Sequence, residues 1–129
     1  QADIITIHPP LTSQTKNMVK KEQLLCMKED AIIINTARGR IINEQDLYDV
    51  MQSDHLSGAA IDVFDFEPYV GKLREIQRCI LTAHMGSMSV DCRTRMEIEA
   101  TEEAVRFLTN QPLEGVVPEE EYAVQREGL

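Results

Sequence analysis

The sequence predicts an α/β fold: an open, mostly parallel sheet with flanking helices and a long C-terminal helix. Two observations carry this. Short apolar runs alternate with segments of helical periodicity, the order that βαβ units impose. The first three runs are nearly continuous in apolar residues rather than alternating, the pattern of strands buried on both faces of a parallel sheet. A length of 129 residues fits one domain or part of a larger one, and 43% hydrophobic with 27% charged residues is ordinary globular composition.

The elements follow in order. The first run, 3–7, contains Ile4, Ile5 and Ile7. A helix is expected over 20–28, with Leu24, Leu25 and Met27 on or near one face. The second run, 31–35, holds Ile32, Ile33 and Ile34. Asn43 is a good N-cap, with Glu44 and Asp46 in the first turn where acids suit the helix dipole. That helix carries Leu47, Val50 and Met51 and stops near Ser53. The third run, 58–63, is small and apolar, and an apolar turn around Leu73 and Ile76 leads to the fourth, 79–82. The longest helix is expected over 89–109, where Met96, Ala100, Ala104 and Leu108 recur every four residues and Val105 joins the stripe. Asn110-Gln111-Pro112 ends it, and no internal repeat or Gly/Ser linker interrupts the chain.

Charge excludes some functions. The net charge of -9 and the lack of a basic stripe argue against nucleic acid as a partner. No apolar run approaches the roughly 20 residues of a membrane helix, so a soluble chain is expected. The acid excess is uneven: from Glu97 onward there are nine Glu against Arg106 and Arg126, while residues 1–96 hold 13 acids and 11 bases. The surplus reads as a solvated outer helix face and an exposed tail. Cys26, Cys79 and Cys92 form no Cys-x-x-Cys, which suits reduced thiols and a cytoplasmic location. The opening Gln1-Ala2-Asp3 has no Met, basic flank or cleavage site of a signal peptide.

In open α/β sheets, ligands bind beyond the carboxyl ends of the strands. Polar segments stand at all these positions: His8-Pro9-Pro10-Leu11-Thr12, Asn35 through Arg40, Asp62 with Glu67-Pro68, and His84-Met85-Gly86-Ser87. A parallel sheet would gather them on one rim and bring Arg38, Glu67 and His84 together. Arginine grips a carboxylate with a planar fork. Histidine takes or gives a proton near neutral pH, and a carboxylate beside it can fix its tautomer. The set suits an acid whose hydroxyl loses a proton as hydride leaves the adjacent carbon, which needs a cofactor because no side chain accepts hydride. Taken singly, each residue has a plainer reading: Arg38 as a surface ion-pair partner, Glu67 as a turn opener, His84 as a satisfied buried histidine, Asp62 as a strand-end cap. A metal site at His8, His55 and His84 lacks the ligand spacing such sites use.

These segments resemble the D-isomer-specific 2-hydroxyacid dehydrogenases, the family of D-3-phosphoglycerate dehydrogenase. Ala2-Asp3-Ile4-Ile5-Thr6-Ile7-His8 with Pro10-Leu11-Thr12 and Thr15 is similar to the family's strand and loop under the nicotinamide ribose. Ile34-Asn35-Thr36-Ala37-Arg38-Gly39 is similar to the signature around its substrate-binding arginine. Gly58 through Phe64, followed by Glu67-Pro68, resembles the segment with a cofactor-contacting aspartate and the catalytic glutamate. Leu81-Thr82-Ala83-His84 with Gly86 resembles the segment with the catalytic histidine. The resemblance covers roughly residues 1–117 and implies a partial Rossmann-like fold, the second half of a dinucleotide-binding domain, with 118–129 as an acidic tail. It implies Arg38, Glu67 and His84 as catalytic residues. Arg38 would hold the carboxylate and carbonyl of a small 2-hydroxy or 2-keto acid, His84 would be the acid/base, and Glu67 would hydrogen-bond His84. Asp62 would contact the nicotinamide carboxamide. Pro9, Thr36, Ala37, Gly86 and Ser87 would line NAD together with Arg38 and His84.

The chain departs from the family pattern. Ala83 stands where the family usually has Pro, the Glu67–His84 loop is short, and Met85 and Met88 flank the histidine. No Gly-x-Gly-x-x-Gly occurs, nor an acidic ribose reader after it, so NADP stays open beside NAD. The first strand would lack its partner and expose an isoleucine-rich edge. The expectation is a piece of a longer, homodimeric enzyme that needs its missing N-terminal part, binds NAD weakly alone and does not turn over alone. A non-enzymatic NAD-sensing or oligomerising module on the same fold is the alternative.

Overall fold

The computed structural model describes residues 2–119. Strands β1 (Ile4–Ile7), β2 (Ile32–Asn35), β3 (Gly58–Ile61) and β4 (Cys79–Leu81) form one sheet in the order β1-β2-β3-β4, every neighbouring pair parallel. Between and after them lie α1 (Lys21–Leu25), α2 (Glu44–Gln52), a short 3₁₀ turn (Lys72–Glu75) and α3 (Val90–Leu108). Ile7, Asn35, Ile61 and Leu81 fall in one register row, so the strands end level and the loops that follow leave from one rim.

Side chains alternate across a strand, and the register sorts them cleanly. Ile7, Ile33, Asn35, Ala59 and Ile61 are buried, and the apolar ones share one core with Leu24, Leu47, Val50, Met51, Leu56 and Leu73. Each fully buried Leu, Ile, Val or Met among them contributes about 1.5–3 kcal/mol from apolar transfer. The opposite row holds Ile4, Ile32, Ile34, Ala60 and Ile80, of which Ile4 is 58% and Ile80 68% exposed. Burial on both faces is therefore corrected: among the described residues, helices cover one face only. The strand at 3–7 is an edge as expected, since β1 pairs with β2 alone.

The helices follow local chemistry. The Asn43 side chain accepts the Asp46 backbone N–H at 3.0 Å, capping α2, whose Leu47, Val50 and Met51 enter the core. The chain from Asn17 to Val19 lies beside 40–43, with Val19 N–H donating to Ile41 O and Asn43 N–H to Val19 O. The helix expected over 20–28 shrinks to five residues. Cys26 caps it, and a turn ending at Asp30 (φ 63°) starts the next strand, so Leu25 points outward while Leu24 and Met27 stay buried. The long helix matches its expected span, with Ser89 accepting the Cys92 N–H. Its apolar stripe, however, packs on nothing among the described residues: no α3 side chain is buried, and Leu108 is 78% exposed. The expected distinction between an inner and an outer, acidic face of that helix is thereby corrected. Of the acidic tail at 118–129, only Pro118 and Glu119 lie within the described residues. No helix there is long and apolar enough to cross a membrane.

Candidate functional site

Three of the rim loops converge. Beyond β2, the Asn35 side chain folds the loop on itself: its Oδ1 accepts the Ala37 N–H at 3.1 Å and its Nδ2 donates to the Arg38 carbonyl at 3.0 Å. This holds Arg38 at the mouth with Gly39 behind it. A Cβ on Gly39 would stand 1.9 Å from the Phe64 carbonyl oxygen, so only glycine lets the Arg38 loop lie against the loop beyond β3. Two carboxylates reinforce that contact. Asp65 accepts the Arg40 N–H at 2.8 Å, and Glu44 at the start of α2 accepts the Asp65 N–H at 2.7 Å.

The third loop carries His84, whose backbone is left-handed (φ 53°). A non-glycine residue in that region is uncommon and is worth a functional look. Its N–H donates to the Asp62 carbonyl at 2.8 Å, and its ring meets Glu67, with Nδ1 to Oε2 at 3.1 Å. A carboxylate only accepts, so Nδ1 carries the proton in this contact and Nε2 is the nitrogen left for exchange. The other Glu67 oxygen accepts the Phe64 N–H at 3.1 Å. That backbone donor first, and His84 second, hold the Glu67 carboxyl below the usual carboxylate range. Both side chains stay open to solvent, His84 at 47% and Glu67 at 40%.

Arg38, Glu67 and His84 line one pocket of about 330 Å³, together with Leu11, Gly39, Arg40, Val63, Phe64 and Asp65. Stacking of Phe64 on Tyr69, with ring centroids 4.1 Å apart, stiffens the far wall. The pocket does not include the other expected site residues. Asp62 is buried beneath the rim, where it accepts from the Thr82 hydroxyl and from the Met85 N–H at 2.8 Å. Burial alone would push its carboxyl up, but these bonds and the Gly86 N–H outweigh it and hold it down. Pro9 and Ala37 are half-buried on the rim, and Thr36, Gly86 and Ser87 are exposed there. The plainer reading of His84 as a satisfied buried histidine is corrected by its exposure. The other two histidines are engaged elsewhere, His8 with the Thr6 hydroxyl at 2.8 Å and His55 with the Met27 carbonyl at 3.1 Å. Arg40 joins the pocket unexpectedly, its only signal in the sequence being its place two residues beyond Arg38. Glu44 was visible only as a first-turn acid of its helix, and Asp65 carried no signal beyond being acidic.

An NAD fit can be tested on the residues present. Beside the Asp62 carboxylate, Gly86 presents bare backbone: Asp62 Oδ2, at 3.9 Å, is the one atom within contact range of the place a Cβ would occupy. A buried acceptor next to open backbone suits a flat, amide-bearing ring, and the residues present fit the group.

Comparison with known proteins agrees. The family model described as D-isomer specific 2-hydroxyacid dehydrogenase, NAD binding domain, matches residues 1–86. The chain is 38% identical over 113 residues to a D-3-phosphoglycerate dehydrogenase of Bacillus subtilis, covering 87% of this chain and 22% of that protein. It is 33% identical over 120 residues to glyoxylate reductase 1 of Saccharomyces cerevisiae, covering 92% of this chain and 34% of that one. Its fold is similar to the crystal structure of a glyoxylate reductase from Paecilomyes thermophila, with a TM-score of 0.88, 28% identity, and 93% and 37% coverage. The chain thus spans roughly a fifth to two fifths of the length of these relatives. The chain belongs to the D-isomer specific 2-hydroxyacid dehydrogenase family, in which it corresponds to the NAD-binding domain.

Proposed function

We propose that residues 1–117 form the second half of the cofactor domain of a longer NAD-dependent dehydrogenase acting on a D-2-hydroxy acid or its 2-keto acid, with 118–129 as an acidic tail. The observation that carries this is the single pocket shared by Arg38 and the Glu67–His84 pair. The Arg38 guanidinium grips the substrate carboxylate, although one of its N–H groups also donates to the Ala37 carbonyl at 2.6 Å. His84 exchanges a proton with the substrate oxygen through Nε2, while Glu67 fixes the orientation and tautomer of the ring. Bound NAD would supply the hydride acceptor or donor, which no side chain can be. Asp62, Gly86, Pro9, Thr36, Ala37 and Ser87, with Arg38 and His84, would hold it. We place the protein in the cytoplasm, in keeping with three free thiols, and as a homodimer. The apolar stripe of α3, unpartnered among the described residues, favours a second reading, an oligomerising module without turnover.

The test is NADH oxidation by the full-length protein with glyoxylate, pyruvate and hydroxypyruvate. Turnover that falls by at least about a hundredfold in Arg38→Ala and His84→Gln supports the dehydrogenase. Absence of turnover with every acid, beside intact self-association, would favour the module. The 129-residue chain alone is expected to bind NAD weakly and to turn nothing over. Micromolar affinity in a calorimetric titration of that chain would contradict the half-domain reading.

A further inference from the structure

We propose that Tyr69 is a positioning residue whose ring closes the loop 64–69 and thereby holds the Glu67 carboxylate on His84. The inference rests on the dehydrogenase reading above and adds a residue outside the pocket to its machinery. Glu67 stands within that loop and is itself exposed. Among the described residues its carboxylate has two partners, the Phe64 N–H and His84 Nδ1, both at 3.1 Å. Its place therefore depends on how the loop is held on each side. Before Glu67 the chain is tied repeatedly: Phe64 is buried, its carbonyl lies against Gly39, and Asp65 is bonded to Arg40 and to Glu44. After Glu67 the anchor is Tyr69. Among the described residues no hydrogen bond reaches Pro68 or Val70, and the Val70 side chain is exposed.

The anchor is specific. Tyr69 turns its ring back onto Phe64, with centroids 4.1 Å and planes 17° apart, so the two ends of the loop meet. The Tyr69 hydroxyl accepts the Leu73 N–H at 3.2 Å, which ties the ring to a buried residue of the 3₁₀ turn. Gly71 makes room for it: a Cβ there would stand 2.3 Å from the Tyr69 oxygen and 2.5 Å from its Cζ. The Gly71 φ of -80° is one that alanine also adopts, so the missing side chain serves the ring and not the turn. Phe64 thus carries both restraints, its ring taking Tyr69 while its N–H donates to Glu67. Displacing the Tyr69 ring frees the outgoing half of the loop and carries Glu67 off Nδ1, and the His84 ring then loses the acceptor that selects its tautomer.

The experiment uses the full-length protein with whichever of glyoxylate, pyruvate and hydroxypyruvate it turns over fastest. Tyr69→Leu should lower kcat by about 10- to 100-fold, as for a catalytic group misplaced by roughly an ångström, with KM within about twofold because Arg38 is untouched. Tyr69→Phe keeps the stack and should retain most of the wild-type kcat. In a Glu67→Gln background, Tyr69→Leu should cost less than about twofold further, since it acts through Glu67. A loss of equal size in both backgrounds, or no recovery in Tyr69→Phe, overturns the proposal. Nitrogen NMR of the histidine rings, assigned with His84→Gln, should show the Nδ1–H tautomer of His84 in wild type and Tyr69→Phe, and an averaged signal in Tyr69→Leu. Gly71→Ala displaces the ring without removing it and should reproduce both effects. Wild-type kcat and tautomer in Gly71→Ala refute the proposal even where Tyr69→Leu fails to fold. Absence of turnover with every acid defeats the dehydrogenase reading instead. The His84 signal then decides Tyr69 by itself: an unchanged tautomer in Tyr69→Leu refutes its role, and an averaged one supports it.

Discussion

Replacing Gly39 by alanine tests whether the Arg38 loop is held against the Glu67 loop by backbone contact. The added Cβ would stand 1.9 Å from the Phe64 carbonyl oxygen, 2.2 Å from its carbon and 2.9 Å from the Asp65 nitrogen. Ordinary contact begins near 3.4 Å, so the loops must part by roughly 1 Å or more. All three obstructing atoms are backbone, and no rotamer change relieves them. Overpacking of this kind costs about 1–3 kcal/mol, and the absence of a rotamer escape puts Gly39→Ala at the upper end. The stiffer unfolded chain offsets about 0.4–1 kcal/mol, leaving a net loss near 2 kcal/mol. A 1 Å displacement of Arg38 from His84 should also cost about a hundredfold in turnover of the full-length protein. Urea unfolding and steady-state kinetics read the two effects. Gly58→Ala is the control, because its Cβ would meet the Arg78 carbonyl oxygen at an ordinary 3.4 Å. If Gly39→Ala were as stable as wild type and retained full kcat/KM, the proposed loop brace would be wrong.

Three further outcomes are expected. Asp62→Asn should cost about 1–3 kcal/mol, because the amide keeps one acceptor oxygen for Thr82 and Met85 but sets an NH2 donor against the Met85 N–H where the second carboxylate oxygen accepts it at 3.0 Å; a loss well below that range in urea unfolding would show that the rim does not depend on it. On acidification, carboxyl-carbon NMR should show Glu44 protonating above its ordinary range, raised chiefly by burial, and Asp62 and Glu67 below theirs. Both of the latter are lowered in the fold, so their stabilisation is present above the unfolded values near 4 and is lost as the pH falls through the folded ones, while Glu44 acts in the opposite sense. Cys79, whose thiol burial pushes up to about 11, should react with iodoacetamide at pH 8 far more slowly than exposed Cys26 and Cys92; equal labelling by mass spectrometry would contradict its burial.

What was legible in the sequence is what local chemistry determines. Asn43 with Glu44 and Asp46 marked the start of α2, and the isoleucine runs marked β1 and β2 to within a residue. The rim followed from parallel order, which brings Arg38, Glu67 and His84 to one side whatever the loops do. The Glu67–His84 contact entered through the resemblance rather than through spacing, since a gap of 17 residues has no periodic meaning. Exposure of Ile4 and Ile80 was not legible, because an apolar run reads the same with one covered face or two. Nor was the idle stripe on α3, whose period describes a helix but not what lies against it. The bracing bonds of Glu44 and Asp65 were invisible for another reason: their partners are backbone N–H groups, which every residue carries.

That last point explains how so acidic a chain keeps a site for an anion. Around the pocket the acids are tied to the main chain: Asp65 to Arg40 N–H, Glu44 to Asp65 N–H, Glu67 to Phe64 N–H, Asp62 to Met85 N–H. Each carboxylate satisfies a loop donor that would otherwise need water; Asp65, Glu44 and Asp62 thereby tie one rim loop to another or to α2, and Glu67 folds its own loop. The guanidiniums of Arg38 and Arg40 are left without such partners among the described residues. Local charge at the mouth therefore differs from the chain's net of -9, much of which sits on Glu97, Glu99, Glu102 and later residues, past the sheet. The same bonds that engage the acids also hold the loops in place before a ligand arrives, so less ordering entropy is lost on binding. Bracing and electrostatics are one arrangement here, and a substitution that frees Asp65 or Glu67 from its backbone donor should loosen the pocket and repel its substrate together.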